Sequence, residues 1–178
     1  MFRALLIITL TFSFFACQNE VKKEEKSQLT YESIQEIGKK IFDESTGKLD
    51  YKIARQYITS VDTFVINNPK DEKSPTLLMK AAEVARTTKS YTKALELYQT
   101  IYEKYPNSKE APQALFLKGF TLDNELHQIE AAKKIYEEFL EKYPDNDFAD
   151  DTKFLLENLG KSEEELVKEF EARAKKQQ

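Results

Sequence analysis

Cysteine is nearly absent: Cys17 stands alone in 178 residues, so the chain can close no internal disulfide and assemble no zinc-thiolate cluster. Stability must come from packing. Tryptophan is missing, histidine occurs once as His127, and there are only four glycines. A lone His makes no metal site without other ligands around it, so His127, within NELHQIE, is expected to be a solvated turn residue. No G-x-S-x-G, P-loop, G-x-G-x-x-G or H-E-x-x-H pattern occurs, which leaves the corresponding nucleophile, phosphate and zinc chemistries without a motif to carry them. The acidic run from Asp145 to Asp151 invites a calcium reading, but an EF-hand loop needs Gly where Asp150 stands and Glu where Leu156 stands. Acids at a helix start are explained by the macrodipole instead. The expectation is therefore no catalytic residue, no metal and no cofactor, although abundant Asp and Glu leave carboxylate pairing open. Basic charge is not in excess either. With 27 basic against 31 acidic residues and a net charge of −4, a nucleic-acid partner is not expected.

One long apolar run is present, in MFRALLIITLTFSFFAC, where Arg3 precedes Ala4 to Ala16 in the charged-then-hydrophobic layout of a secretory signal. The run is shorter than the roughly 20 residues a membrane-crossing helix needs. Ordinary cleavage after Ala16 would place the bulky Phe14 where a small residue belongs. Phe14-Phe15-Ala16-Cys17 resembles a bacterial lipobox: Ala16 and Cys17 match the pattern, whereas Phe14 replaces the usual Leu and Phe15 a small residue. That resemblance implies a signal peptide over 1–16 and lipidation at Cys17, with each buried acyl methylene holding the protein to a membrane by about 0.8 kcal/mol. A plain secreted protein with an incidental Cys is the alternative. Residues 17–29, mostly QNEVKKEEKSQ after the Cys, lack apolar periodicity and are expected to form a flexible tether.

From Thr30 onward apolar residues recur at helical spacing and no period-two alternation persists, so the domain 30–178 is expected to be all-α. Helices are expected at 30–43, 50–66, 75–87, 91–104, 109–124, 128–142, 147–158 and 163–175. Ser74 is expected as an N-cap before Pro75, with Ser108 and Asp147 capping likewise, and Ser162 with Glu165 as a capping box after a left-handed Gly160.

The segments INNPKDEKSP, KYPNSKEAP and KYPDNDFAD recur, with Pro69 and Pro106 separated by 37 positions and Pro106 and Pro144 by 38. Ala94 and Tyr98 precede Pro106 by 12 and 8 positions, and Ala132 and Tyr136 precede Pro144 by the same offsets. This is the A-x3-F...P half of the tetratricopeptide pattern, and Leu115-x2-Lys118-Gly119-x2-Leu122 and Leu78-x2-Ala81-Ala82-x2-Ala85 occupy its W-x2-L-G-x2-Y half. Small residues at Ala82, Gly119, Ala94 and Ala132 should let paired helices approach, while Tyr98 and Tyr136 fill the wedge to the next hairpin. Ile34-x2-Ile37-Gly38-x2-Ile41 begins a worn copy in which Tyr57 stands where Ala is expected. The best repeats are 74–106 and 111–144, and 162–176 is expected to be a capping helix.

These residues identify the chain as resembling tetratricopeptide repeat proteins, a fold expected to be a right-handed superhelix of about four helical hairpins. The long repeats, the Y-P-x-S and Y-P-D-N junctions and YEEFLEKYP resemble a bacterial envelope group. It includes the lipoprotein of the outer-membrane β-barrel assembly machine (BamD) and the Tol-Pal-associated periplasmic protein. The resemblance implies a non-catalytic protein-binding scaffold in the cell envelope, lipid-anchored at the outer membrane and facing the periplasm, in outer-membrane assembly or maintenance. Its partners would be other envelope proteins or peptides. In that geometry Met79, Glu83 and Arg86 from one unit and Phe116, Phe120 and Asp123 from the next line the binding groove, with Phe116 and Phe120 either an exposed aromatic anchor or packed core. A surface-exposed binding lipoprotein and an envelope enzyme or metal-binding protein stay open as alternatives.

Overall fold

The computed structural model describes residues 29–176; the expected signal peptide, Cys17 and most of the tether lie outside the described residues. Eight α-helices occur among them: α1 Tyr31–Lys39, α2 Tyr51–Asn67, α3 Ser74–Thr87, α4 Tyr91–Lys104, α5 Glu110–Phe120, α6 Ile129–Lys142, α7 Ala149–Glu157 and α8 Glu163–Lys176. A π-helical turn, Thr121–Glu125, continues α5. Each helix from α1 to α6 packs on the one after it, and α3 also touches α5. Contacts between near neighbours along the chain are the signature of a helical-repeat solenoid, and the apolar core follows the array, running from Ile34 through Leu77, Leu78 and Ile101 to Leu115 and Phe139.

A glycine and a tyrosine meet in two of the hairpins. The Tyr136 ring lies against Gly119, where an added Cβ would sit 2.7 and 2.8 Å from its carbons, and the Tyr57 ring lies against Gly38 at 3.0 Å. Tyr57 therefore meets the glycine of its own hairpin as Tyr136 does, and the expectation that it stands in the Ala position is corrected. Ala54, fully buried, fills that place. The reason is length: α2 has 17 residues where α4 and α6 have 14, which moves Ala54 further from Pro69 than its counterparts are from their prolines.

Helix α1 stops at Lys39 and does not run to 43. Beyond it the Asp43 carboxylate Oδ1 accepts from the amides of Ser45 (3.0 Å) and Thr46 (2.7 Å) and from both their hydroxyls, a local network that competes with helix continuation. Gly47, at φ +66°, turns the chain back. A single antiparallel bridge then pairs Phe42 with Leu49, and the Asp50 amide donates to the Ile41 carbonyl at 2.8 Å.

Three expected caps are also corrected. Ser74 is already helical and its hydroxyl donates to the Asn68 carbonyl at 3.2 Å, leaving Lys73 as N-cap. The Ser108 hydroxyl is buried without a hydrogen-bond partner among the described residues, and Lys109 precedes α5. Asp147 caps nothing; Asn146 Oδ1 accepts from the Phe148 amide at 3.1 Å. The box of Ser162 and Glu165 does form: the Ser162 amide donates to Glu165 at 2.8 Å and the Glu165 amide returns a bond to the Ser162 hydroxyl at 3.3 Å. Gly160 is left-handed, at φ +77°.

The π turn holds the extra residue that lengthens the second repeat. Thirteen positions separate Gly119 from Ala132 where twelve separate Ala82 from Ala94. The Leu126 amide accordingly reaches back five residues to the Thr121 carbonyl at 3.2 Å. His127 follows, exposed and at φ +52°, as Lys89 stands at φ +59° in the corresponding turn of the preceding hairpin.

Candidate protein-binding groove

The first helices α1, α3 and α5 carry the candidate surface. Of the six expected groove residues, two belong to the core. Met79 is 6% exposed and Phe116 8%. Phe116 stacks on Phe148 with ring centroids 4.7 Å apart and meets Phe139 edge-on at 6.1 Å. As an exposed anchor Phe116 is thus corrected: the chain leading into α7 supplies Phe148 as its cover.

Phe120, Glu83, Arg86 and Asp123 remain accessible. Phe120 is partly buried, 6.3 Å from the Phe116 ring, and the Arg86 guanidinium lies 5.9 Å from its centroid, within the range of a cation–π contact. Among the described residues no carboxylate comes within ion-pair distance of Arg86. Behind it the Tyr98 hydroxyl is fully buried, without a well-formed hydrogen bond among the described residues and with Arg86 beside it. Burial pushes the Tyr98 phenol up to about 12, with Arg86 pulling the other way, so it stays an O–H at neutral pH. Asp123, on the π turn, accepts from the Tyr136 hydroxyl at 3.4 Å; burial raises its pKa, opposed by that bond and by His127. The arrangement offers a partly desolvated guanidinium beside an aromatic ring, which suits a carboxylate next to an apolar group on a partner.

Two concavities flank this patch. One of about 420 Å³ lies between α1 and α3, lined by Gln35, Ile41, Phe42, Leu49, Lys80 and Val84 and including Glu83 and Tyr57. Apart from Glu83, none of these was expected, because the 41–50 loop that walls it reads from spacing alone as the end of a helix. The other, about 610 Å³, lies near α7 and the start of α8 and includes Asp123, His127, Lys161 and Glu165. No group of three or more His, Cys, Asp or Glu side chains that could hold a metal occurs among the described residues. No described helix is long and apolar enough to cross a membrane.

Helical hairpins stacked on their neighbours along the chain define an all-helical repeat solenoid. The family described as Tetratricopeptide repeat matches residues 76–108 and 113–146, which cover most of α3–α4 and α5–α6, so these two hairpins are similar to tetratricopeptide repeats. Such arrays present extended concave surfaces to protein partners. No curated protein matches the chain.

Proposed function

We propose that the protein is a non-catalytic scaffold of the bacterial cell envelope, lipid-anchored through Cys17 at the outer membrane and facing the periplasm. There it holds envelope proteins or peptides during outer-membrane assembly or maintenance. The observation that carries the binding role is Arg86: a partly buried guanidinium over Phe120 with no carboxylate among the described residues to meet it. A buried or half-buried charge without a partner is costly, and a ligand carboxylate relieves that cost. The membrane placement rests on the lipobox resemblance at Ala16-Cys17, and the pathway on the resemblance of the repeats to the envelope group.

A photo-crosslinking amino acid installed at Phe120 in growing cells tests the binding role. Discrete adducts that vanish with Arg86→Glu are expected; an unchanged adduct pattern in that variant would remove the groove from the account. Membrane fractionation of the parent and Cys17→Ala tests the anchor. Loss from the membrane fraction is expected, and retention would count against lipidation.

A further inference from the structure

Arg86 is not the only uncompensated charge on the face shared by α3 and α5. Glu83 stands one turn before it on α3, and the π turn carries Asp123 one turn beyond Phe120. Short turns make α3 and α5 run the same way, and the contact of Arg86 with the Phe120 ring sets them level at that point. Three residues of helix rise by about 4.5 Å, so the guanidinium and ring have one carboxylate on either side along the groove. The order of charge along the groove is negative, positive, negative.

Neither carboxylate has a cation within ion-pair distance among the described residues. Glu83 is exposed. Asp123 is half-buried and accepts from the Tyr136 hydroxyl through Oδ2, at 3.4 Å, with His127 beside it. The next acid, Glu125, is engaged by the Tyr91 hydroxyl. Behind Arg86 the Tyr98 hydroxyl is neutral, so the charge that balances the guanidinium must come from the open side. Lys80, one turn before Glu83, is exposed and forms no ion pair among the described residues.

An occupant bearing only carboxylates would satisfy Arg86 and be repelled by Glu83 and Asp123 at comparable distance. One bearing only cations would meet the reverse conflict. All three groove charges are matched by base, acid and base in that order. On an α-helix, residues three or four apart share a face at the same step as the groove charges.

We propose that the groove between α3 and α5 takes a helical segment of a partner protein whose face carries a basic, an acidic and a second basic residue at successive steps of three or four. The acid meets Arg86, and the bases meet Glu83 and Asp123. The proposal rests on the Arg86–Phe120 face being a binding surface, and adds to it the charge order of the partner.

Fluorescence anisotropy on the full chain in mild detergent tests it with labelled alanine-rich helical peptides. One carries lysine, glutamate and lysine at i, i+3 and i+7; a second reverses all three signs, and a third has glutamate at all three places. The parent should bind the first at least tenfold more tightly than either control, and the preference should shrink at high salt. Glu83→Lys should lose at least tenfold, and changing one peptide lysine to glutamate should restore affinity for that variant. Lys80→Ala, which removes a like charge near the incoming base, should tighten binding. Both residues are exposed, so circular dichroism melts of these variants should match the parent. Equal affinity for the three peptides, no saturable binding, tightest binding of either control, or insensitivity to Glu83→Lys overturns the proposal. In cells, crosslinks at Phe120 that vanish with Arg86→Glu but persist unchanged with Glu83→Lys refute the charge order and leave the groove reading standing. Crosslinks indifferent to both variants remove both.

Discussion

Replacing Gly119 by alanine isolates the contact that closes the best-formed hairpin. The new Cβ would lie 2.7 and 2.8 Å from Tyr136 ring carbons and 3.2 Å from Ile135 Cγ2. Tyr136 is fully buried, with no exposed space to move into, so the overpacking cost falls in the upper part of the usual range, about 2–3 kcal/mol. Alanine is the better helix former by about 1 kcal/mol. The two effects oppose each other, and the clash wins: a net loss of about 1–2 kcal/mol, or roughly 2–8 °C in melting temperature for a chain of this size. Thermal and urea unfolding followed by circular dichroism measure it. Tyr136→Leu in the same background should return part of the loss, a coupling a double-mutant cycle reads directly. A Gly119→Ala protein as stable as the parent, or more so, would show that helix propensity outweighs the contact and that the small-residue account of the hairpin is wrong.

Alkaline stability follows from the buried tyrosines. Burial holds Tyr57 and Tyr98 near 12 while the unfolded chain ionises them near 10, so their contribution is full below about pH 10 and falls as pH rises through 12. The loss is about 2–3 kcal/mol for each. Urea midpoints that stay level from pH 9 to 11.5 would contradict this. Tyr98→Phe, which removes a buried hydroxyl without a well-formed hydrogen bond among the described residues, should leave neutral-pH stability unchanged or raised and should flatten the alkaline decline. The Asp43 carboxylate, lowered to about 2 by its Ser45 and Thr46 bonds, stabilises the loop above about pH 4 and stops doing so as pH falls through 2. Amide exchange at Thr46 should accelerate over that window, and Asp43→Ala should show the fast rate at every pH. Deleting Asn124 should convert the π turn to a regular helical turn, visible as loss of the long Leu126-to-Thr121 bond in amide-exchange protection.

Apolar spacing made the helices and the repeat legible, because burial on a helical face demands a 3.6-residue period whatever the partner. The Ala and Tyr offsets before Pro106 and Pro144 located the locking contacts for the same reason. Caps were less legible. Ser108 and Asp147 are residue types that cap, but Pro106 and Pro144 begin turns whose backbone bonds, Ser108 to Tyr105 and Asn146 to Tyr143, settle the approach to the helix first. The 41–50 loop escaped because Ile41 continues the α1 periodicity while the Asp43 network, a matter of four short-range bonds, ends the helix. Lys89 and His127 adopt left-handed backbone without the glycine that would have announced it. In the candidate groove, Arg86 and Phe120 were reached by repeat arithmetic. Phe116 was ambiguous because its cover, Phe148, comes from the following hairpin.

The turn at 121–125 bears on how such a chain can change over time. A one-residue insertion within a regular helix ordinarily rotates everything downstream of it by about 100°. Here the additional residue is swallowed inside α5's continuation, and Ala132, Tyr136 and Phe139 still arrive fully buried. Phase is thus restored within one hairpin. The array can accept such changes in reading length one at a time, and copies that have drifted from one another in residue count still stack as neighbours.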